Sequence, residues 1–318
     1  MQPLCRAAGF HAAAALSLLY LLAPAVHAQP APAPAANSEA ARQAEIDAAW
    51  KAASGAATRG PADVALIDQA VLKLPASRAF IPKAEGMRIM RALGNTISET
   101  TFIGLIVGTR QNDDWLVVAR YVKEGYIKDD DAKNWNADEL LQSLKDGTAE
   151  ANKDRVARGF PELEVSGWVE KPAYDAGAHR LVWSILAINK GEPESGPKGI
   201  NYNTYALGRD GYFSLNLLTN SSRIEADKAV ARELLSDLSY NSGKRYEDFT
   251  ATTDRIAEYG IAALIGGVVA KKIGLFALIG VFFLKFAKII AVAAIALAAG
   301  AVKFFRRKPA ATPPGGPA

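Results

Sequence analysis

The chain has 318 residues, half of them hydrophobic, with 37 basic against 33 acidic side chains and a formal net charge of +4. That length and apolar content suffice for one or two domains with apolar residues to spare. One cysteine excludes a disulfide framework within the chain, and without the N-terminal Cys5, His11 and His27 no zinc site of several Cys or His ligands could form.

At the N-terminus, Arg6, an apolar run over 12–22 and the triplet Val26, His27, Ala28 read as a secretory signal, 1–28, cleaved after Ala28. The alternative, an uncleaved anchor, needs about 20 apolar residues, and Pro24, just after this run, favours a break before the cleavage site. On the signal reading Cys5, His11 and His27 are removed, so the mature chain holds no thiol and one imidazole, His179. The Ala/Pro-rich stretch 29–40 is expected to be a tether without a core of its own.

Residues 38–73 show helical spacing: Ile46, Ala49 and Trp50 before a break at 54–61, then Val64, Ile67, Ala70 and Val71. From Arg78 the pattern changes. RAFIPKAEG, TFIGLIVG and WLVVARYVKEGYI are β-branched and aromatic runs separated by Pro, Gly and Asn-Asp-Asp, which predicts strands.

The last of these runs ends in GYIKDDDAKNW, with Asp129, Asp130 and Asp131 in succession. Two uses are open. The aspartates can cap a short helical turn running to Asn134, with favourable charge at its positive end, or they can ligate a divalent metal. Adjacent side chains alternate on a strand and fan over about 200° on a helix, so all three reach one ion only from an irregular loop. Lys133 also stands where an EF-hand beginning at Asp129 needs its third ligand.

Asn136 with Glu139 three residues on predicts a reciprocal cap for a helix through Leu140, Leu141 and Leu144. VSGWVEKPAY and HRLVWSILAI flank a turn at Asp175, Ala176 and Gly177, and NYNTYALGRDGYFSLNLL predicts a hairpin. Closed by Arg209, Asp210 and Gly211, that hairpin puts Tyr205 and Leu207 on the face of Phe213, Leu215 and Leu217. Ser222 capping towards Glu225 opens a last helix, with Val230, Leu234, Leu235 and Leu238 on one stripe. Antiparallel strands beside helices predict an α+β fold, an exported antiparallel-sheet domain over 41–254.

Beyond it, 255–285 is apolar but carries Lys271, Lys272 and Lys285. If 259–284 crossed a membrane, Lys271 and Lys272 would each cost about 2.5–3.5 kcal/mol on insertion. The stretch is therefore expected to lie in the membrane interface or on a partner. Gly260, Gly266, Gly267, Gly274 and Gly280 permit close helix approach to an envelope protein or a second copy. The 20 residues 286–305, FAKIIAVAAIALAAGAVKFF, make about 30 Å of helix and predict a transmembrane span. A basic, Pro/Gly-rich tail, 306–318, follows; an exported N-terminus and one span place it in the cytoplasm.

The basic balance belongs to the anchor. Residues 29–254 carry 27 basic against 32 acidic side chains, and no basic patch interleaved with aromatics is present, so nucleic acid is not an expected partner. A Ser/His/Asp hydrolase would have to use His179, and no Gly-x-Ser-x-Gly elbow occurs. No dinucleotide, P-loop or EF-hand motif is found, and no cofactor is expected. Trp115, Tyr121, Tyr126, Trp135, Trp168, Tyr174 and Trp183 suit either core packing on strands or the wall of a sugar or peptide groove.

The succession TFIGLIVG, DDWLVVARYVKEGYIKDDDAKNWNADELL, NKDRVARGFPELEVSGWVEKPAYDAGAHRLVWSI and INYNTYALGRDGYFSLNLL, ending in an apolar segment and KFFRRK, resembles the bacterial membrane-anchored proteins of domain of unknown function 2167. The likeness covers about 79–308, and the GYI-DDDA and GW-x-x-x-P-x-Y blocks are its most specific parts. It implies a membrane-anchored protein of the bacterial envelope and carries over no activity and no catalytic residues. The expected function is a non-catalytic binding or interaction module, held by one span in the inner membrane with its main domain in the periplasm. The alternative is a metal-assisted envelope hydrolase using Asp129, Asp130 and Asp131.

Overall fold

The computed structural model describes residues 36–93, 95, 97–157, 161–191 and 198–266. The expected signal, the expected span at 286–305 and the tail at 306–318 lie outside the described residues. Among those described, no helix is long and apolar enough to cross a membrane.

Helix α1 (Ala36–Ala56) is followed by β1 (Thr58–Arg59), β2 (Ala62–Leu66), β3 (Ala70–Leu74), β4 (Arg78–Pro82) and α2 (Lys83–Ala92). Then come β5 (Phe102–Gly108), β6 (Leu116–Val122), α3 (Ala137–Ala157), β7 (Leu163–Asp175) and β8 (Arg180–Asn189). The last elements are β9 (Gly199–Gly208), β10 (Gly211–Asn220), α4 (Ile224–Asp237) and β11 (Leu238–Tyr240). An eight-stranded sheet runs β1-β4-β5-β6-β10-β9-β8-β7, and a three-stranded sheet runs β11-β3-β2. Every strand pair in both is antiparallel. A large antiparallel sheet with packed helices is the expected class.

The helical spacing at 64–71 is not realised. Val64, Leu66, Ala70, Leu72 and Leu74 alternate inward, Val64 pairs with Leu72, and β11 covers the other edge of β3. Ile67 falls in the connecting turn, exposed and at φ 51°. A period of two and a period near 3.6 were both present there, and the strand pairing selects the former. RAFIPKAEG also divides: the strand stops at Pro82, whose ring gives no backbone donor, and α2 begins at the next residue.

The β9–β10 hairpin forms, but with a different register from the expected one. Gly208 pairs with Gly211, so the loop is the two residues Arg209 and Asp210. Phe213 then lies opposite Ala206, Leu215 opposite Thr204 and Leu217 opposite Tyr202, while Tyr205 lies opposite Ser214 and Leu207 opposite Tyr212. Tyr205 and Leu207 therefore occupy the other face from Phe213, Leu215 and Leu217. Counting one residue too many in the loop reverses the parity of every pair.

The two faces bury different cores. Phe213, Leu215, Leu217, Tyr202, Tyr121 and Val117 pack beneath the three-stranded sheet and α4. The opposite face carries one cluster beside α1 and α2, centred on Phe102, Leu105, Ile81 and Met90. A second cluster on that face contains Leu207, Tyr212, Trp183, Leu181 and the α3 residues Leu140 and Leu144. Between them the face is polar: Asn216 donates to Asn203 Oδ1 at 2.8 Å, and both are buried.

Asn136 caps α3, its Oδ1 accepting from the amides of Asp138 at 2.9 Å and Glu139 at 3.4 Å. Ser222 does not cap α4. The residue at that position is Arg223 without a side-chain cap, and the Ser222 hydroxyl bonds Asn220 Oδ1 instead.

Candidate functional site

Past β6 the chain reaches Gly125 at φ 94°, a conformation L side chains rarely adopt. A Cβ there would also lie 2.6 Å from the Arg255 carbonyl oxygen. The glycine lets 126–131 run alongside 255–262. Tyr126 N donates to Arg255 O at 2.8 Å, Ala257 N to Tyr126 O at 2.9 Å, and Ile261 N to Lys128 O at 3.1 Å. Tyr126 and Ile256 form a parallel bridge.

An interfacial helix starting at 255 is thus not what the described residues form. Residues 255–262 are bridge and turn, and helix begins only at Ala263. Tyr259, Ile261, Leu264 and Ile265 are buried in the α3-side cluster. The folded domain extends at least to Ile265 because these side chains complete its core.

The three aspartates point to three different places. Asp130–Lys133 form a 3-10 turn with Asp129 at its N-cap position, and no side chain caps it. Asp129 Oδ2 accepts from the Tyr174 hydroxyl at 2.6 Å. Asp130 is exposed. Asp131 Oδ2 accepts from Ala262 N at 3.2 Å. Asp131 thus serves the turn that opens the helical residues 263–266, not its own turn. The expected capping of a turn through Asn134 is replaced by a cap supplied across the fold. Among the described residues no three His, Cys, Asp or Glu side chains gather as metal ligands.

His179 follows the β7–β8 turn at φ 52°. Its ring stacks on Tyr246 with centroids 3.9 Å apart. Nδ1 lies 3.1 Å from the Tyr174 hydroxyl and 3.5 Å from Asp129 Oδ2, and Nε2 lies 3.4 Å from Glu247 Oε1. With Tyr174 donating to Asp129, its oxygen is left free to accept from Nδ1–H of His179. Tyr246 in turn donates to Ile127 O at 2.8 Å, and Tyr126 stacks on Phe249 at 3.9 Å.

The electrostatics follow from burial and pairing. Burial pushes the Tyr174 hydroxyl far up, reinforced by its hydrogen bond to Asp129, and burial does the same to Tyr246. Both remain neutral donors. Burial raises the Asp131 carboxyl against the pull of the Ala262 and Ile261 amides. Nearby, the Arg209 guanidinium chelates Asp254 at 2.7 and 2.8 Å and holds that carboxyl well below the ordinary range.

Of the aromatics considered for a groove, Trp115, Tyr121 and Trp183 are buried in the cores, and Tyr126, Trp135, Trp168 and Tyr174 pack against the α3-side cluster. Core packing accounts for them. Sequence reasoning missed Tyr246, Glu247 and Ala262 and assigned Gly260 to a helix contact, whereas it faces Asp131; Gly125 was the other available signal of a close backbone approach.

The family described as Protein of unknown function (DUF2167) matches residues 58–297. The chain belongs to the DUF2167 family. The matched span of this DUF2167 protein opens at β1 and takes in both paired segments, 126–131 and 255–262. No curated protein matches the chain. Among solved structures, cyanobacterial PsbP (CyanoP) from Synechocystis sp. PCC 6803 is similar at 10% identity and a TM-score of 0.36, over 58% of this chain and 93% of that one. The Saccharomyces cerevisiae Ran-binding protein Mog1p is similar at 10% identity and a TM-score of 0.32, over 57% and 96%. Both likenesses are too distant to bear on function.

Proposed function

We propose that this DUF2167 protein is a single-pass protein of the bacterial inner membrane whose sheet domain lies in the periplasm and acts as a non-catalytic binding or interaction module. The observation that carries the reading is the engagement of the groups able to do chemistry. His179, the one imidazole beyond the expected signal, is held by Tyr246, Tyr174, Asp129 and Glu247. Asp131 is held against the 255–262 segment. These side chains join parts of the chain to one another. The apolar run at 286–305 and the signal-like 1–28 support the placement, with the lipid bilayer as one partner and an envelope protein or second copy as the other.

Cysteine labelling tests the topology. In intact cells with a permeabilised outer membrane, an impermeant maleimide is expected to label Lys51→Cys in α1 and to spare Gly316→Cys in the tail. Labelling of both, or of the tail alone, overturns the single-span arrangement. For the activity, photo-crosslinkers placed over the exposed positions of the sheet domain are expected to give discrete adducts from one face. A divalent-metal-dependent hydrolysis of envelope material by the purified protein, lost in the Asp129→Asn, Asp131→Asn double variant, would replace the binding reading with the hydrolase one.

A further inference from the structure

The Asp131 carboxylate sits in an unusual place for a charge. Its Oδ2 makes one bond of 3.2 Å to Ala262 N, while Oδ1 is buried without a hydrogen-bond partner. A Cβ on Gly260 would lie 2.3 Å from Oδ2, so the segment presses its bare backbone onto the carboxylate. A buried ionised carboxylate is costly unless both oxygens are satisfied.

We propose that Asp131 is a proton-responsive clasp on the 255–262 segment, holding it more firmly when the carboxyl is neutral than when it is ionised. The neutral form keeps an oxygen to accept from Ala262 N and removes the desolvated charge. It also removes the repulsion from Asp129, the charged side chain that bears on Asp131. Lys128, Asp130 and Lys133 on one segment, and Arg255 and Glu258 on the other, are exposed to solvent; the 255–262 segment meets the carboxylate with the uncharged amides of Ile261 and Ala262. Tyr259, the remaining titratable group there, is buried and stays neutral, its hydroxyl pushed up by burial.

The sign is opposite to that of an ordinary paired carboxylate. Burial lifts the Asp131 carboxyl above the usual carboxylate range. Its contribution to stability is therefore greatest below the unfolded value of about 3.9 and declines as pH rises through the folded value. Acid tightens the segment as Asp131 takes up its proton, and rising pH loosens it. The pH response itself does not depend on which compartment holds the domain.

Amide hydrogen exchange on the full chain in detergent tests this, after correction for the intrinsic pH dependence of exchange. Between about pH 7.5 and about pH 4, close to the unfolded value, protection of Ala257, Ile261 and Ala262 is expected to rise several-fold in the wild type. In Asp131→Asn it is expected to be high at both values, and in Asp131→Ala low at both. Protection that stays level or falls on acidification of the wild type, or an undiminished pH response in Asp131→Asn, overturns the clasp. Topology labelling is read separately, so a failed anchor model and a failed clasp are distinguishable.

Discussion

The sheet face beneath α4 and the clasp between 126–131 and 255–262 join distant parts of the chain by opposite means. Beneath α4, regular elements interlock through Phe213, Leu215, Leu217 and Leu234, all almost wholly buried. In the clasp there is little regular structure. The segment is held by a few backbone bonds, a carboxylate, a chain of aromatic contacts, and the insertion of Ile261 and Ile265. Apolar packing is nondirectional and shared among many contacts. Polar clasps depend on single groups, so one atom or one proton matters more to them.

Several substitutions test that contrast, and the largest effect belongs to the apolar side. Phe213→Ala, at a wholly buried position, is expected to cost about 3–5 kcal/mol in denaturant unfolding, while leaving tyrosine-to-carboxylate bonding in the clasp intact. Gly125→Ala should come next. Its φ of 94° and the Arg255 oxygen at 2.6 Å leave no room for a methyl, and the expected cost is about 1–3 kcal/mol. The accompanying sign is new protease sensitivity confined to 250–262; a variant as resistant as wild type would show the close approach to be unnecessary.

Tyr174→Phe removes the donor to Asp129 and the neighbour of His179 Nδ1. Because Asp129 is only partly buried, water can replace part of the loss, and about 0.5–1.5 kcal/mol is expected. A loss as large as that of Phe213→Ala would mean that the polar end carries the fold as the apolar face does.

Acid sharpens the comparison within the polar end itself. The Asp254 carboxyl is depressed, first by its hydrogen bond to Arg209 and then by the Thr250 amide. Its contribution is present above the unfolded value of about 3.9 and is lost as pH falls through the folded value. Asp254→Asn should therefore be less stable than wild type at neutral pH and show a shallower loss of thermal stability in strong acid. Asp131→Asn should instead be at least as stable as wild type at neutral pH and lose that advantage as pH falls. The smallest effect is expected at the exposed Asp130, where Asn should change stability by less than about 0.5 kcal/mol.

The strands β5 to β10 and the α3 cap were legible because each is written locally: β-branched runs between turn residues, and an Asn three residues before Glu139. Where two local readings competed, the sequence did not arbitrate. Residues 64–71 satisfied a helical spacing and a strand alternation together, and pairing with β11 decided for the strand. The loop at Arg209 and Asp210 shows the same limit, since one residue of loop length moved Tyr205 and Leu207 to the opposite face.

By itself the sequence determined the α+β class, most strand positions, the DUF2167 likeness and the apolar, basic character of the C-terminal stretch. Each of these depends on composition or on neighbours within a few residues. Only the tertiary structure decided what the three aspartates do. Asp129 meets Tyr174 across 45 positions and Asp131 meets Ala262 across 131. Such partners leave no local periodicity, because the contact exists only once the sheet has brought both ends of the chain together.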